Sequence, residues 1–147
     1  MRHQLIRIAL LSAVCSFAAT HAFARDSIAS YPVDAALHSE PGKVGDDVAL
    51  YFAGQSHPAV AQSLGEVATN RKTNAFGKSD ADACQHVFLS AVIALQDSAR
   101  KQGANAVINI KSNYHNEERA SATEFMCGAG AMVAGVALKG EVVKLRK

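Results

Sequence analysis

The sequence predicts an α+β fold: an antiparallel sheet of about four to five strands with one long helix packed on one face. Three observations point there. Residues 81–102 contain no glycine or proline, and their apolar side chains recur three and four apart, the period of an amphipathic helix. The stretches on either side alternate apolar and polar residues, or form short apolar runs bounded by turn signals, as strands do. Beyond Gly103 the strands follow one another without a further helix, which favours hairpins over parallel crossovers.

The chain opens with Arg2 and Arg7, continues in an apolar run from Ile8 to Ala19, and reaches Ala22-Phe23-Ala24. A basic lead, an apolar stretch and an A-x-A step are the three parts of a secretory signal. Residues 1–24 are therefore expected to be removed by cleavage between Ala24 and Arg25, which places the protein in the periplasm or outside the cell. The run is short of the about 20 residues that span a bilayer, and Phe125–Leu138 is short and glycine-broken, so no transmembrane span is expected after cleavage. Cys15 follows Val14, where lipid attachment wants a small residue.

Of the 147 residues, removal of 24 leaves 123, the size of one domain. Arg2 and Arg7 leave with the signal, so 13 basic residues face 13 acidic ones and the +2 of the whole chain disappears. With no basic stripe interleaved with aromatics, nucleic acid is not expected as a partner.

Residues 25–47 read as an irregular N-terminal segment, punctuated by Pro32, Pro41, Gly42 and Gly45, with Val33–Ser39 as a candidate short strand. The α+β domain proper is expected over 48–147. Val48–Phe52 is an apolar run ended by Gly54 and reads as a buried strand. After the His57-Pro58 turn, Ala59–Val67 is a second strand leading into a polar loop, Thr69–Lys78. Ser79 is placed to cap the long helix, with Asp82 three residues on to return the bond, and Gly103 ends it. Cys84, Phe88, Ala91, Val92, Leu95 and Ala99 form its core face, and Leu89, Ile93 and Ala94 make its middle apolar nearly all round. That excess calls for a cover, either residues 25–47 or a subunit contact. Asn105–Tyr114 alternates, with Ile108, Ile110 and Tyr114 on one face and Asn109, Lys111 and Asn113 on the other. A polar turn at His115–Arg119, a strand at Ser121–Cys127, the Gly/Ala segment Gly128–Gly135 and a closing strand Val136–Leu145 complete the chain.

Cys84 and Cys127 are the two cysteines left after cleavage, and in an oxidising compartment an even pair is expected to bridge. A loop of about 44 residues would gain about 4 kcal/mol from the bridge in the chain-entropy picture. Straight strands would carry Cys127 opposite the middle of the helix, whereas Cys84 sits in its first turn, so the bridge needs a bend near the Gly/Ala segment. Two buried thiols are the alternative.

Asp82 and His86, one helical turn apart, and His115 are the candidates for a metal or a hydrogen-bonded pair; no two histidines stand at an H-x-H or H-x-x-x-H spacing. Gly77-Lys78-Ser79 resembles the end of a phosphate loop, but the required first glycine is Lys72, so no ATP site is expected. Gly128-Ala129-Gly130 lacks the third glycine of a dinucleotide turn and precedes a strand. No serine or cysteine sits in a nucleophile elbow. No catalytic residue and no cofactor are expected.

The helix followed by Gly103-Ala104-Asn105-Ala106-Val107, with Ala137-Leu138-Lys139-Gly140-Glu141-Val142-Val143 in a closing strand, resembles the YbjQ-type family of small α+β proteins and RcsF-like disulfide-stapled envelope sensors. His57-Pro58-Ala59-Val60-Ala61, Lys72-Thr73-Asn74-Ala75-Phe76 and Ala137-Leu138-Lys139-Gly140 are similar to small exported bacterial proteins labelled "excinuclease ATPase subunit", a label that the missing phosphate loop does not support. The resemblance covers roughly residues 60–145 and implies a non-enzymatic exported binding or envelope-interaction module. A homo-oligomer or an envelope protein would be its partner. A small-ligand or metal-binding protein is the second reading.

Overall fold

A computed structural model of the chain describes residues 26–147, so the expected cleavage point between Ala24 and Arg25 lies outside the described residues. The elements are β1 (Asp26–Pro32), α1 (Val33–His38), β2 (Ala49–Phe52), β3 (Val60–Asn74), α2 (Asp80–Lys101), β4 (Ala106–Tyr114), β5 (Glu117–Arg119), β6 (Glu124–Gly130) and β7 (Val133–Leu145). The class is the expected α+β. The sheet is larger than expected, with seven strands among the described residues, and it is mixed, because β2 runs parallel to β4.

The sheet is organised around β7. Along one side, β3 pairs antiparallel with it from Val60↔Leu145 to Asn74↔Val133. The other side is shared: β6 occupies its start, at Gly128↔Gly135 and Ala129↔Ala134, and β4 takes over from Ser112↔Leu138 to Ala106↔Val143. β1 flanks β6 antiparallel, from Asp26↔Gly130 to Pro32↔Glu124. β4 and β6 thus fork beside β7. Where the fork opens, the Met126 amide donates to the Ser112 hydroxyl at 2.8 Å, a side chain standing in for a ladder bond.

Helix α2 covers one face of this sheet. Ser79 caps it, accepting from the Asp82 amide at 3.1 Å, while the Asp82 carboxylate accepts from the Ser79 hydroxyl at 2.7 Å. Phe88 is fully buried and stacks on Phe125 of β6 with ring centroids 4.0 Å apart, and Phe52 lies 6.0 Å from it. Each buried aromatic contributes about 1.5–3 kcal/mol through burial alone, and the offset contact adds about 1 kcal/mol.

The apolar back of α2 is covered from within the chain. Val33, Ala36, Leu37, Val44 and Val48 join the same core as Leu89. Three polar links hold that cover down. The buried Gln96 side chain accepts from the Gly45 amide at 3.2 Å and donates to the Gly45 and Val48 carbonyls at 2.8 Å. Arg100 forks onto Asp47 at 2.6 and 2.7 Å. His86 Nδ1 donates to Glu40 at 2.7 Å.

Four local expectations are corrected. Residues 26–32 form β1, which has little apolar signature because it lies at a sheet edge and gains its ladder from β6. Val33–Ser39 is helical in the main, as α1, because Val33, Ala36 and Leu37 lie on one helical face toward α2. The strand from Val60 continues through the polar stretch to Asn74, since each polar residue there has a β7 partner. Ile108 and Ile110 lie on opposite faces: Asn109 adopts φ +50°, and the β4–β7 register slips between Ile108 and Lys111. That bulge turns Ile110 toward α2 and sends Ile108 to a small cluster with Ala106, Val143 and Leu145.

Candidate functional site

Cys84 and Cys127 are joined, with an S–S distance of 2.08 Å and Cα atoms 5.9 Å apart. Both residues are fully buried. Cys127 reaches the first turn of α2 from β6, which pairs with the start of β7 where β4 does not. Sealed from solvent, this bridge is a staple.

The three metal candidates are not brought together. Asp82 is spent on the helix cap, and His86 turns to Glu40. His115 sits in the β4–β5 turn with its ring on Tyr114, centroids 4.2 Å apart. Among the described residues no group of three His, Cys, Asp or Glu side chains could hold a metal ion. The Glu40 carboxyl is held below its ordinary value, first by the His86 hydrogen bond.

The face of the sheet away from α2 carries the open surface. At its middle, Lys111 and Lys139 both grip Glu118, at 2.7 and 2.6 Å, and Lys139 also reaches Glu66 at 3.0 Å. These contacts hold the Glu118 carboxyl down at about 2, the Lys111 bond being the largest cause and the Lys139 bond the next. The network anchors the short β5, and with it the turn at His115-Asn116.

That turn positions the site. His115 and Asn116 adopt φ +53° and +63°, the two left-handed positions of a tight two-residue hairpin closed by the Tyr114↔Glu117 pair, and the Asn116 amide also donates to the Asn113 carbonyl at 3.2 Å. Such a conformation is uncommon outside glycine, and histidine and asparagine are among the residues that adopt it most readily. Tyr114, at the end of β4, lies across the fork: a Cβ on Gly128 would fall on its hydroxyl, and one on Gly135 would touch its ring at 3.6 Å. The Gly/Ala segment, near which the sequence predicts a bend, is therefore the seat of a tyrosine. Burial pushes the Tyr114 phenol up from its ordinary value, with the Asp26 carboxylate adding to it. Its hydroxyl makes no hydrogen bond among the described residues.

Two clefts flank the Tyr114–His115 pair. One, of about 800 Å³, lies toward β3 and β7 and is walled by Asn70, Lys72, Asn113, Met132 and Val133. The other, of about 610 Å³, lies toward β1 and β6, with Ile28, Arg119 and Glu124 on its walls. The first is rich in donors: the Lys72 ammonium, the Tyr114 hydroxyl and the side-chain amides of Asn70, Asn113 and Asn116. Met132 and Val133, 60 % and 49 % exposed, give it an apolar lip.

Tyr114 and Lys72 do not stand out in the sequence as site residues: Lys72 falls in the polar stretch Thr69–Lys78, and Tyr114 precedes the polar turn His115–Arg119. One signal was present: a tyrosine ending an alternating strand just before His-Asn, with a run of glycines due to pair nearby. No protein-family model matches the chain, and no curated protein or solved structure matches it either.

Proposed function

We propose that this protein is a non-enzymatic, exported binding module whose contact surface is the open sheet face on either side of Tyr114 and His115. The observation that carries the reading is the Tyr114 hydroxyl, which makes no hydrogen bond among the described residues and is held by Gly128 and Gly135 at the junction of the two clefts. A phenol placed between glycine backbones and left without a hydrogen-bond partner among the described residues is a preorganised donor, and preorganisation lowers the cost of binding. The donor-rich larger cleft fits a small ligand that presents acceptor oxygens and an apolar edge for Met132 and Val133. The A-x-A step at Ala24 and the buried disulfide agree with an oxidising compartment.

The metal-binding reading finds less support, because Asp82, His86 and His115 each have another neighbour. A fragment screen read by amide chemical shifts tests the proposal. Binders should shift the amides of Asn70, Lys72, Tyr114, His115 and Met132 together. Shifts confined to the α2 side, or none from any oxygen-rich fragment, would overturn it.

A further inference from the structure

Strand β3 is 15 residues long, and among the described residues only β7 pairs with it. Its other edge offers a row of backbone donors and acceptors, a template for another strand. The first part of β3 is broken by register shifts near Gln62 and Gly65, but from Glu66↔Glu141 to Asn74↔Val133 the ladder runs without a slip. Regular edge strands are normally guarded by scattered charge. On this stretch the charges are Glu66, Arg71 and Lys72, and their placement is self-complementary.

We propose that the β3 edge pairs with the β3 edge of a second copy of this chain, antiparallel about a two-fold axis through Thr69. The faces fix the argument. Val67 joins the core beneath α2, whereas Glu66 meets Lys139 and Lys72 walls the larger cleft, both on the open side. A two-fold axis normal to the sheet keeps each face with its like, so residues facing across the pair must share a face. Centred on Thr69, Glu66 faces Lys72 of the second copy, and Lys72 faces its Glu66. Moving the centre to Ala68 or Asn70 sets Glu66 opposite an asparagine and leaves Lys72 without an acid. Moving it to Arg71 or Lys72 sets like charges against themselves. One register alone satisfies both charges of the open face, and such pairs select the register more than they add affinity. The joined sheet would set the larger clefts of the two copies side by side across the axis.

The test uses protein expressed from the full sequence, with sedimentation equilibrium as the readout. Wild type should be a dimer. Glu66→Lys and Lys72→Glu should each weaken the dimer at least about tenfold, since each turns two opposite-charge pairs into like-charge pairs. Mixing the two variants should restore a heterodimer, because each supplies the charge the other lacks. This mixing arm also separates loss of pairing from loss of fold. Thr69→Cys adds an independent check. Residues facing on the axis lie about 4.5–5.5 Å apart at Cα, within disulfide range, so this variant should oxidise to a covalent dimer while Asn74→Cys does not. A monomeric wild type, a larger oligomer, a dimer indifferent to both charge reversals, or an unreactive Thr69→Cys would overturn the proposal.

Discussion

The Tyr114 hydroxyl occupies the space that a Cβ on Gly128 would need. β4 and β6 diverge at this point, and a ring laid over glycine backbones closes the gap that no ladder bond spans. Gly128→Ala must therefore expel the ring or bend β6. Overpacking of this kind costs about 1–3 kcal/mol. Tyr114→Ala should relieve most of that cost in the double variant, so urea melts of the four proteins should give strongly non-additive values. Additive values would place Tyr114 elsewhere.

The Cys84–Cys127 staple ties the first turn of α2 to β6. Replacing both cysteines by alanine should lower the unfolding free energy by about 4 kcal/mol, measured in urea, on the chain-entropy account of a loop this long. Because both residues are buried, mild reductant should leave the bridge intact in folded protein and open it only with unfolding.

Glu118 gives the fold an acid-sensitive contact. Its folded carboxyl titrates at about 2, against an ordinary value of 4.5. A depressed carboxyl stabilises fully above its unfolded value and loses that contribution as pH falls through the folded one. The stability gap between wild type and Glu118→Gln should be constant above about pH 5 and should close between about pH 4.5 and 2. The exposed setting keeps the gap modest. A gap unchanged down to pH 2 would mean that the two lysines do not hold the carboxylate.

Gln96 fastens the cover over α2 through backbone groups of Gly45 and Val48. Gln96→Ala strands those groups at a buried site, which costs about 1–3 kcal/mol. Hydrogen exchange should quicken at Gly45 and Ala49 before it does so in β7. Uniform quickening would show that the cover and the sheet open as one unit.

The long helix, its Ser79 cap and the cysteine pair were legible in the sequence because each rests on local periodicity, local hydrogen bonding or simple arithmetic. β1 and the second half of β3 were not, because edge strands owe their form to a neighbour and carry few apolar residues of their own. The faces of Ile108 and Ile110 were misread because Asn109 adds a residue to the alternation, and asparagine is common in loops as well as bulges. The candidate site was least legible. It depends on Tyr114 meeting Gly128 and Gly135 across a fork, a juxtaposition that only the strand order creates.

The most direct test of the binding account is the affinity of the strongest oxygen-rich fragment for wild type, Tyr114→Phe and Lys101→Ala, measured by amide-shift titration. Tyr114→Phe keeps the ring on its glycine seat and removes only the hydroxyl. The account predicts a loss of about tenfold for it, one charge-neutral hydrogen bond's worth, and no change for Lys101→Ala at the far end of α2. Equal affinities for Tyr114→Phe and wild type would show that the hydroxyl is not the group the cleft presents.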